Sequence, residues 1–275
     1  MKKRLFKREI TRRIKDRFKP IIFFLLLITV PVVSEAQFNE TIRADRPGQA
    51  ISAFTAGQGI FQIQSGFDYF HSKSSSSTYG HGILNNTVMR FGLTEPFEVS
   101  AMVEYKTEAN TLNDSKTNAN GISALDLGMR YHIYTGKGLI PSIGFQLRAR
   151  LPVLSEDYKI KDLAPRFLLV TSQQLSEKFT LVTNWGASWN GNTSAPSGNY
   201  VFNLSYPFSN SLGAFVEMYG GLQQGDLSAN FDTGLAWLIN PDLQFDIYSG
   251  FGKNNGIQDT FLSVGVSWRT KQPIH

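Results

Sequence analysis

Phe97-Glu98-Val99-Ser100-Ala101-Met102-Val103-Glu104-Tyr105-Lys106 is the stretch that decides the fold. Phe97, Val99, Ala101, Val103 and Tyr105 take one set of alternate positions, and mostly polar residues take the other. Successive side chains of an extended strand point to opposite faces, so the segment has an oily side and a wet side. Phe179-Thr180-Leu181-Val182-Thr183-Asn184-Trp185-Gly186-Ala187-Ser188-Trp189 repeats the pattern and ends in aromatics. From Gly59 onward the chain runs through about a dozen such units, each followed by a turn. Strands of ~9–11 residues match a tilted bilayer crossing. Lipid offers no partner to an open sheet edge, so a spanning sheet must close on itself. A soluble sandwich or lipocalin-like barrel shares the alternation, but it turns its apolar face inward and rarely needs aromatics at both strand ends. The pattern predicts an all-β, antiparallel transmembrane barrel of the bacterial outer-membrane type.

The N-terminus points to export. Ten Lys and Arg fall within residues 1–19, followed by the apolar run Ile21–Val30 and by Ser34-Glu35-Ala36, small residues suited to a signal peptidase. The expectation is a cleaved signal peptide over residues 1–36, with a permanent anchor as the alternative. The whole chain carries 27 basic and 22 acidic residues. Without residues 1–36 the balance is 17 to 19, so the positive charge belongs to the signal and gives no reason to invoke nucleic acid. Zero cysteines exclude a disulfide scaffold and thiolate metal sites.

Strands are predicted at 59–71, 83–93, 97–107, 122–134, 139–150, 164–175, 179–189, 199–206, 212–221, 230–239, 243–251 and 259–268, within a barrel spanning 59–268 and before a tail at 269–275. Twelve is even, as single-chain bacterial barrels require. Connections alternate between tight turns rich in Gly, Pro, Asn and Asp, such as Asn240-Pro241-Asp242, and longer polar loops, such as 72–81 and 108–121. Phe167-Leu168-Leu169-Val170 is apolar on both faces and fits worst, together with the stretch around Gly213 and Phe215. The lipid face should carry residues such as Phe67, Leu127, Val216 and Leu235, with girdle aromatics such as Tyr69, Trp237 and Trp268.

Asp45-Arg46-Pro47, Gly66-Phe67, Arg90-Phe91-Gly92-Leu93, Leu127-Gly128-Met129-Arg130-Tyr131, Asn240-Pro241-Asp242 and the closing Ser263-Val264-Gly265-Val266-Ser267-Trp268-Arg269 make the chain resemble a family of outer-membrane "transporter" proteins associated with the meta-pathway of phenol degradation. The likeness runs through nearly all of the mature chain. Gln64 departs from it, at a position where many relatives carry an acid. The resemblance implies a barrel passing small, hydrophobic or aromatic molecules. No cofactor is expected.

With the apolar faces toward lipid, the alternate positions define a lumen. Arg90, Arg130, Arg148, Arg150 and Arg166 come from strands two, four, five and six, and Asp68, Glu217, Asp232 and Asp246 from strands one, nine, ten and eleven, on roughly opposite walls. Glu98, Glu104 and Asp126 sit among the arginines. Such a field selects solutes in an open pore. The same charges could instead form a salt-bridge network that fills a small barrel. Residues 37–58 do not alternate; with Asp45, Arg46 and Pro47 they read as a plug entering the periplasmic mouth, or else as a disordered leader. Catalysis has little support, since His71, His81, His132 and His275 have no serine in a nucleophile-like setting beside them. His71 and His81 lack a third metal ligand, so no metal site is expected. The expected partners are outer-membrane lipid, the insertion machinery and an unidentified small solute.

Overall fold

The structure, a computed structural model, describes residues 40–113, 115–254 and 256–271. The predicted signal over 1–36 and the end of the tail with His275 lie outside them. The strands are β1 (Phe61–Lys73), β2 (Thr78–Thr94), β3 (Phe97–Leu112), β4 (Ser115–Tyr134), β5 (Ser142–Arg150), β6 (Ala164–Gln174), β7 (Thr180–Ser188), β8 (Ser197–Pro207), β9 (Leu212–Gln223), β10 (Asp226–Leu227), β11 (Ala229–Asn240), β12 (Leu243–Asn254) and β13 (Ile257–Arg269). β10 is a two-residue piece that pairs only with β9. Each of the other twelve is antiparallel to its neighbours, and the sheet closes where β1 meets β13 in unbroken register from Gln62↔Arg269 to Lys73↔Gln258. Closure leaves no strand edge to pair with another chain.

Burial is inverted relative to a water-soluble protein. Phe67, Val216 and Leu127 are 58%, 57% and 53% exposed, whereas Arg90, Arg130 and Glu98 are each 1% exposed. A sheet that shows leucine outside and hides guanidinium inside needs an apolar solvent around it and a polar filling within it. The described residues form an outer-membrane type β-barrel.

Two predicted loops are corrected. Residues 72–81 and 108–121 are largely strand, with tight turns at 74–77 and around Asn113. Strands beyond the bilayer need no apolar face, so a pattern that reads hydropathy misses them. Leu139 and Ile140, predicted to start the fifth strand, are exposed turn residues ahead of Pro141, and β5 begins at Ser142. β1 begins at Phe61 rather than Gly59, because Gly57 and Gly59 hold positive φ and Gly59 N–H donates to Gly92 O. β13 runs through Arg269, whose Nε donates to Asp242 Oδ1 at 2.8 Å.

Candidate functional site

Residues 40–60 run inside the ring. They enter at the β11–β12 turn, where Ile42 N–H donates to Pro241 O and Arg269 Nη1 donates to Thr41 O. They leave at the β2–β3 turn, where the Thr55 hydroxyl donates to Glu95 O and Ala56 N–H donates to Glu98 Oε2. Both turns are short, so the segment enters and leaves at the same end of the barrel. Between them the backbone is bonded to inward side chains from much of the wall. Glu217 on β9 accepts the N–H groups of Gln49 (2.6 Å) and Ala50 (2.9 Å). Asn184 on β7 accepts Ile51 N–H at 2.9 Å and donates to Ile51 O at 3.0 Å. Ser172 on β6 accepts Ala53 N–H, and Nδ1 of His132 on β4 lies 3.0 Å from Ala53 O. A segment without secondary structure keeps its buried polar groups satisfied only through such side chains.

Adjacent charges in this segment meet different stretches of the wall. Arg130 Nη1 donates to Asp45 Oδ1 at 3.1 Å, and Arg90 Nη1 lies 3.5 Å from Asp45 Oδ2. Arg90 also makes a two-pronged pair with Glu98, both bonds 2.8 Å. Burial acts to raise the Asp45 carboxyl, but the guanidiniums of Arg130 and Arg90 outweigh it and hold the group well below the usual carboxylate range. Arg46 turns the other way. Its Nη2 donates to Asp246 Oδ1 and to Ser263 Oγ, each at 2.9 Å, and Ser263 in turn donates to Asp68. Gly66 and Gly265 are cross-strand partners on β1 and β13, and a Cβ on either would overlap the Arg46 guanidinium. The two glycines form the slot that Arg46 occupies. Pro47 and Gly48 then redirect the chain, with Gly48 at φ +94° against the Phe215 ring.

The remaining predicted lumen residues lie elsewhere on the wall. Asp232 is directly opposite Glu217 on β11. Glu104 accepts the Ser123 hydroxyl at 2.7 Å. Asp126 accepts Arg150 Nε at 2.9 Å. Arg148 and Arg166 are cross-strand partners on β5 and β6, near the long-loop ends of those strands, and the Nε of each is buried without a hydrogen-bond partner. The segment lies between two cavities. One of about 410 Å³, at the short-turn end, is lined by Asp45, Arg46 and Pro47 with Tyr206 and Phe215. The other, of about 330 Å³ on the long-loop side, is lined by residues that include Gln49, Asp126, Arg148, Arg150, Arg166, Asn199 and Tyr219.

Sequence reasoning named the charged lumen residues and missed the neutral ones. Gln64 accepts Asp45 N–H at 2.9 Å, and Gln244 donates to Arg46 O at 2.9 Å. Asn184, Ser172 and Ser263 hold the segment in the same way. Each occupies an alternate position of its strand, the signal that could have found them. Arg43 was also missed; it lies over the Phe54 ring at 4.0 Å, and burial, reinforced by Arg269, pushes its guanidinium down to about 10. Phe54 stacks on His132. His71 and His81 face each other across β1 and β2. Among the described residues no three His, Cys, Asp or Glu side chains gather as metal ligands would.

A closed twelve-stranded ring with an apolar exterior and a charged, occupied lumen defines the class as an outer-membrane barrel. The family described as "Putative MetA-pathway of phenol degradation" matches residues 44–270, and the chain belongs to it. Among solved structures the chain is similar to an outer membrane channel from Pseudomonas putida F1, at 12% identity and TM-score 0.64, covering 82% of this chain and 100% of that one. It is similar to the KdgM porin solved with disordered oligogalacturonate, at 11% identity and TM-score 0.53, covering 75% and 99%. It is also similar to the translocator domain of the autotransporter NalP from Neisseria meningitidis, at 12% identity and TM-score 0.50, covering 78% and 89%. No curated protein matches the chain.

Proposed function

We propose that the protein is a bacterial outer-membrane channel for small molecules, exported by a cleaved signal at residues 1–36 and gated by residues 37–58 acting as a plug. The observation that carries this reading is the path of residues 40–60. They join the inner wall from β1 round to β13 through side chains that otherwise would face a water-filled lumen. Asp45 and Arg46 are the latch, one on the arginine wall and the other on Asp246. Membership of the family and a fold shared with proteins described as a channel and a porin support transport rather than catalysis. A barrel held shut by hydrogen bonds to a single segment opens when that segment shifts, so passage depends on the latch rather than on pore width.

The test is single-channel recording of refolded protein in planar bilayers. The full chain without residues 1–36 should show low or intermittent conductance. A chain that also lacks residues 37–58 should conduct continuously, and Asp45→Ala with Arg46→Ala should lie between them. If removing 37–58 from a folded barrel produces no channels, the segment is not the gate and the barrel is a closed structural element.

A further inference from the structure

The long-loop cavity has a feature that the plug does not explain. Arg148 and Arg166 lie directly opposite each other on β5 and β6, and like charges so placed repel. Asp126 also lines the cavity, but it is bonded to Arg150, and Asp45 is bonded to Arg130 and Arg90. Arg148 reaches only the sulfur of Met102, at 3.6 Å. Both Nε groups are buried and unpartnered, as is that of Arg130, but Arg130 donates through its Nη atoms to Asp45, whereas no carboxylate is bonded to Arg148 or Arg166. Buried polar groups are ordinarily hydrogen-bonded, and an exception calls for an explanation.

We propose that this cavity is a binding site for a small organic carboxylate, with Arg148 and Arg166 gripping the carboxylate and the Asn199 and Tyr219 side holding the body of the molecule. The planar guanidinium presents paired donors that match a carboxylate, and two facing forks can share one anion. The volume of about 330 Å³ sets the size of the occupant. It is about ten times the ~30 Å³ share of one water, so a bare inorganic ion leaves it mostly to solvent, whereas a ring of about six carbons bearing one carboxylate occupies it. The lining from β8 and β9 includes tyrosine side chains, which suit such a body. Gln49 of the inner segment also lines the cavity, and its N–H is held by Glu217. A bound anion therefore rests against the segment proposed as the gate. The inference builds on the channel reading in placing this site on the solute path, but binding itself requires no conduction.

The experiment is calorimetric titration of the refolded full-length barrel in detergent with benzoate, its neutral analogue benzamide, and inorganic phosphate. Benzoate should saturate one site, and benzamide and phosphate should not compete for it. Arg148→Gln and Arg166→Gln, each verified as folded by circular dichroism, should each weaken benzoate by about tenfold or more, while Lys116→Gln on the exposed end of β4 should not. Failure of benzoate to bind the wild type, equal binding of benzamide, or unchanged binding in both arginine variants would overturn the proposal. Binding without conductance in any variant would remove the channel reading and leave the site. Conductance with benzoate binding insensitive to both arginines would do the reverse.

Discussion

Two arginine-bearing regions of the same lumen are built differently. Around β2 to β4, Arg90 and Arg130 share Glu98 and Asp45, and the inner segment completes the network. Around β5 and β6, Arg148 and Arg166 oppose each other with no carboxylate bonded to either. The first region is finished when the chain is folded, and the second is finished only when something else arrives. Charge in a barrel lumen is thus not one signal. A guanidinium that meets its carboxylate within the chain holds structure, whereas two that oppose each other beside a cavity, with no carboxylate bonded to either, leave a place for a ligand.

The contrast breaks most visibly at Asp45. Removing it leaves Arg130 and part of the Arg90 charge buried without their partner, and Asp45→Ala should destabilise the barrel by about 3–5 kcal/mol in urea unfolding. A loss near that of a surface substitution would mean that the finished network does not hold the segment. The next largest effect is apolar. Leu168, 1% exposed, packs with Val170 against Ile51 and Ala53 of the inner segment. Leu168→Ala should cost about 2–3 kcal/mol, toward the lower end for a buried leucine because the segment can settle into the gap. In a chain lacking residues 37–58 the same change should cost far less, since Leu168 then faces water. An undiminished cost would place its packing partners in the wall instead.

Those residues also show how far the sequence could be read. The strands were legible wherever lipid imposed alternation, as along Phe97–Tyr105. Where strands rise beyond the bilayer, as at Thr78–Gly82 and Lys116–Gly121, water tolerates either face and the pattern fades. β6 read poorly because Leu168 and Val170 are apolar on the inward side, and β9 because Phe215 faces inward against Gly48. In both strands the anomaly is the imprint of the inner segment. It could be seen in the sequence, but its cause could not, because the partner comes from a stretch with no periodicity of its own. Gly66 and Gly265 stood out as family-like residues, while the slot they form for Arg46 exists only once β1 meets β13. For the lumen residues, periodicity gives the inward side of each strand but not which charges meet, so Arg148 and Arg90 look alike until the fold distributes the carboxylates.

Acid sharpens the same comparison. The Asp45 carboxyl is held below its ordinary range in the folded barrel, so its stabilising contribution is fully present above the unfolded value of ~4 and fades as pH falls toward the folded one. The stability gap between wild type and Asp45→Asn should therefore be constant from neutral pH down to about pH 5 and shrink below ~4. A gap that stays constant down to pH 2 would mean that Asp45 contributes through shape and neutral hydrogen bonds rather than through its charge.

The smallest expected change is the most discriminating. Arg148→Gln removes one of two opposed guanidiniums and keeps a shorter, neutral polar side chain in the cavity. If Arg148 belonged to a salt-bridge network that fills and closes the barrel, its loss would strand a carboxylate and cost as much as the loss of Asp45. As it is bonded to no carboxylate, and Arg166 is relieved of a like charge across the ladder, urea unfolding should change by no more than ~0.5 kcal/mol, or the barrel should become slightly more stable. Adding saturating benzoate should then reverse the order, because a ligand that binds only the folded wild type stabilises it by mass action and leaves the variant behind. A loss of several kcal/mol without ligand would erase the distinction between the two arginine regions and make the whole lumen a single structural network.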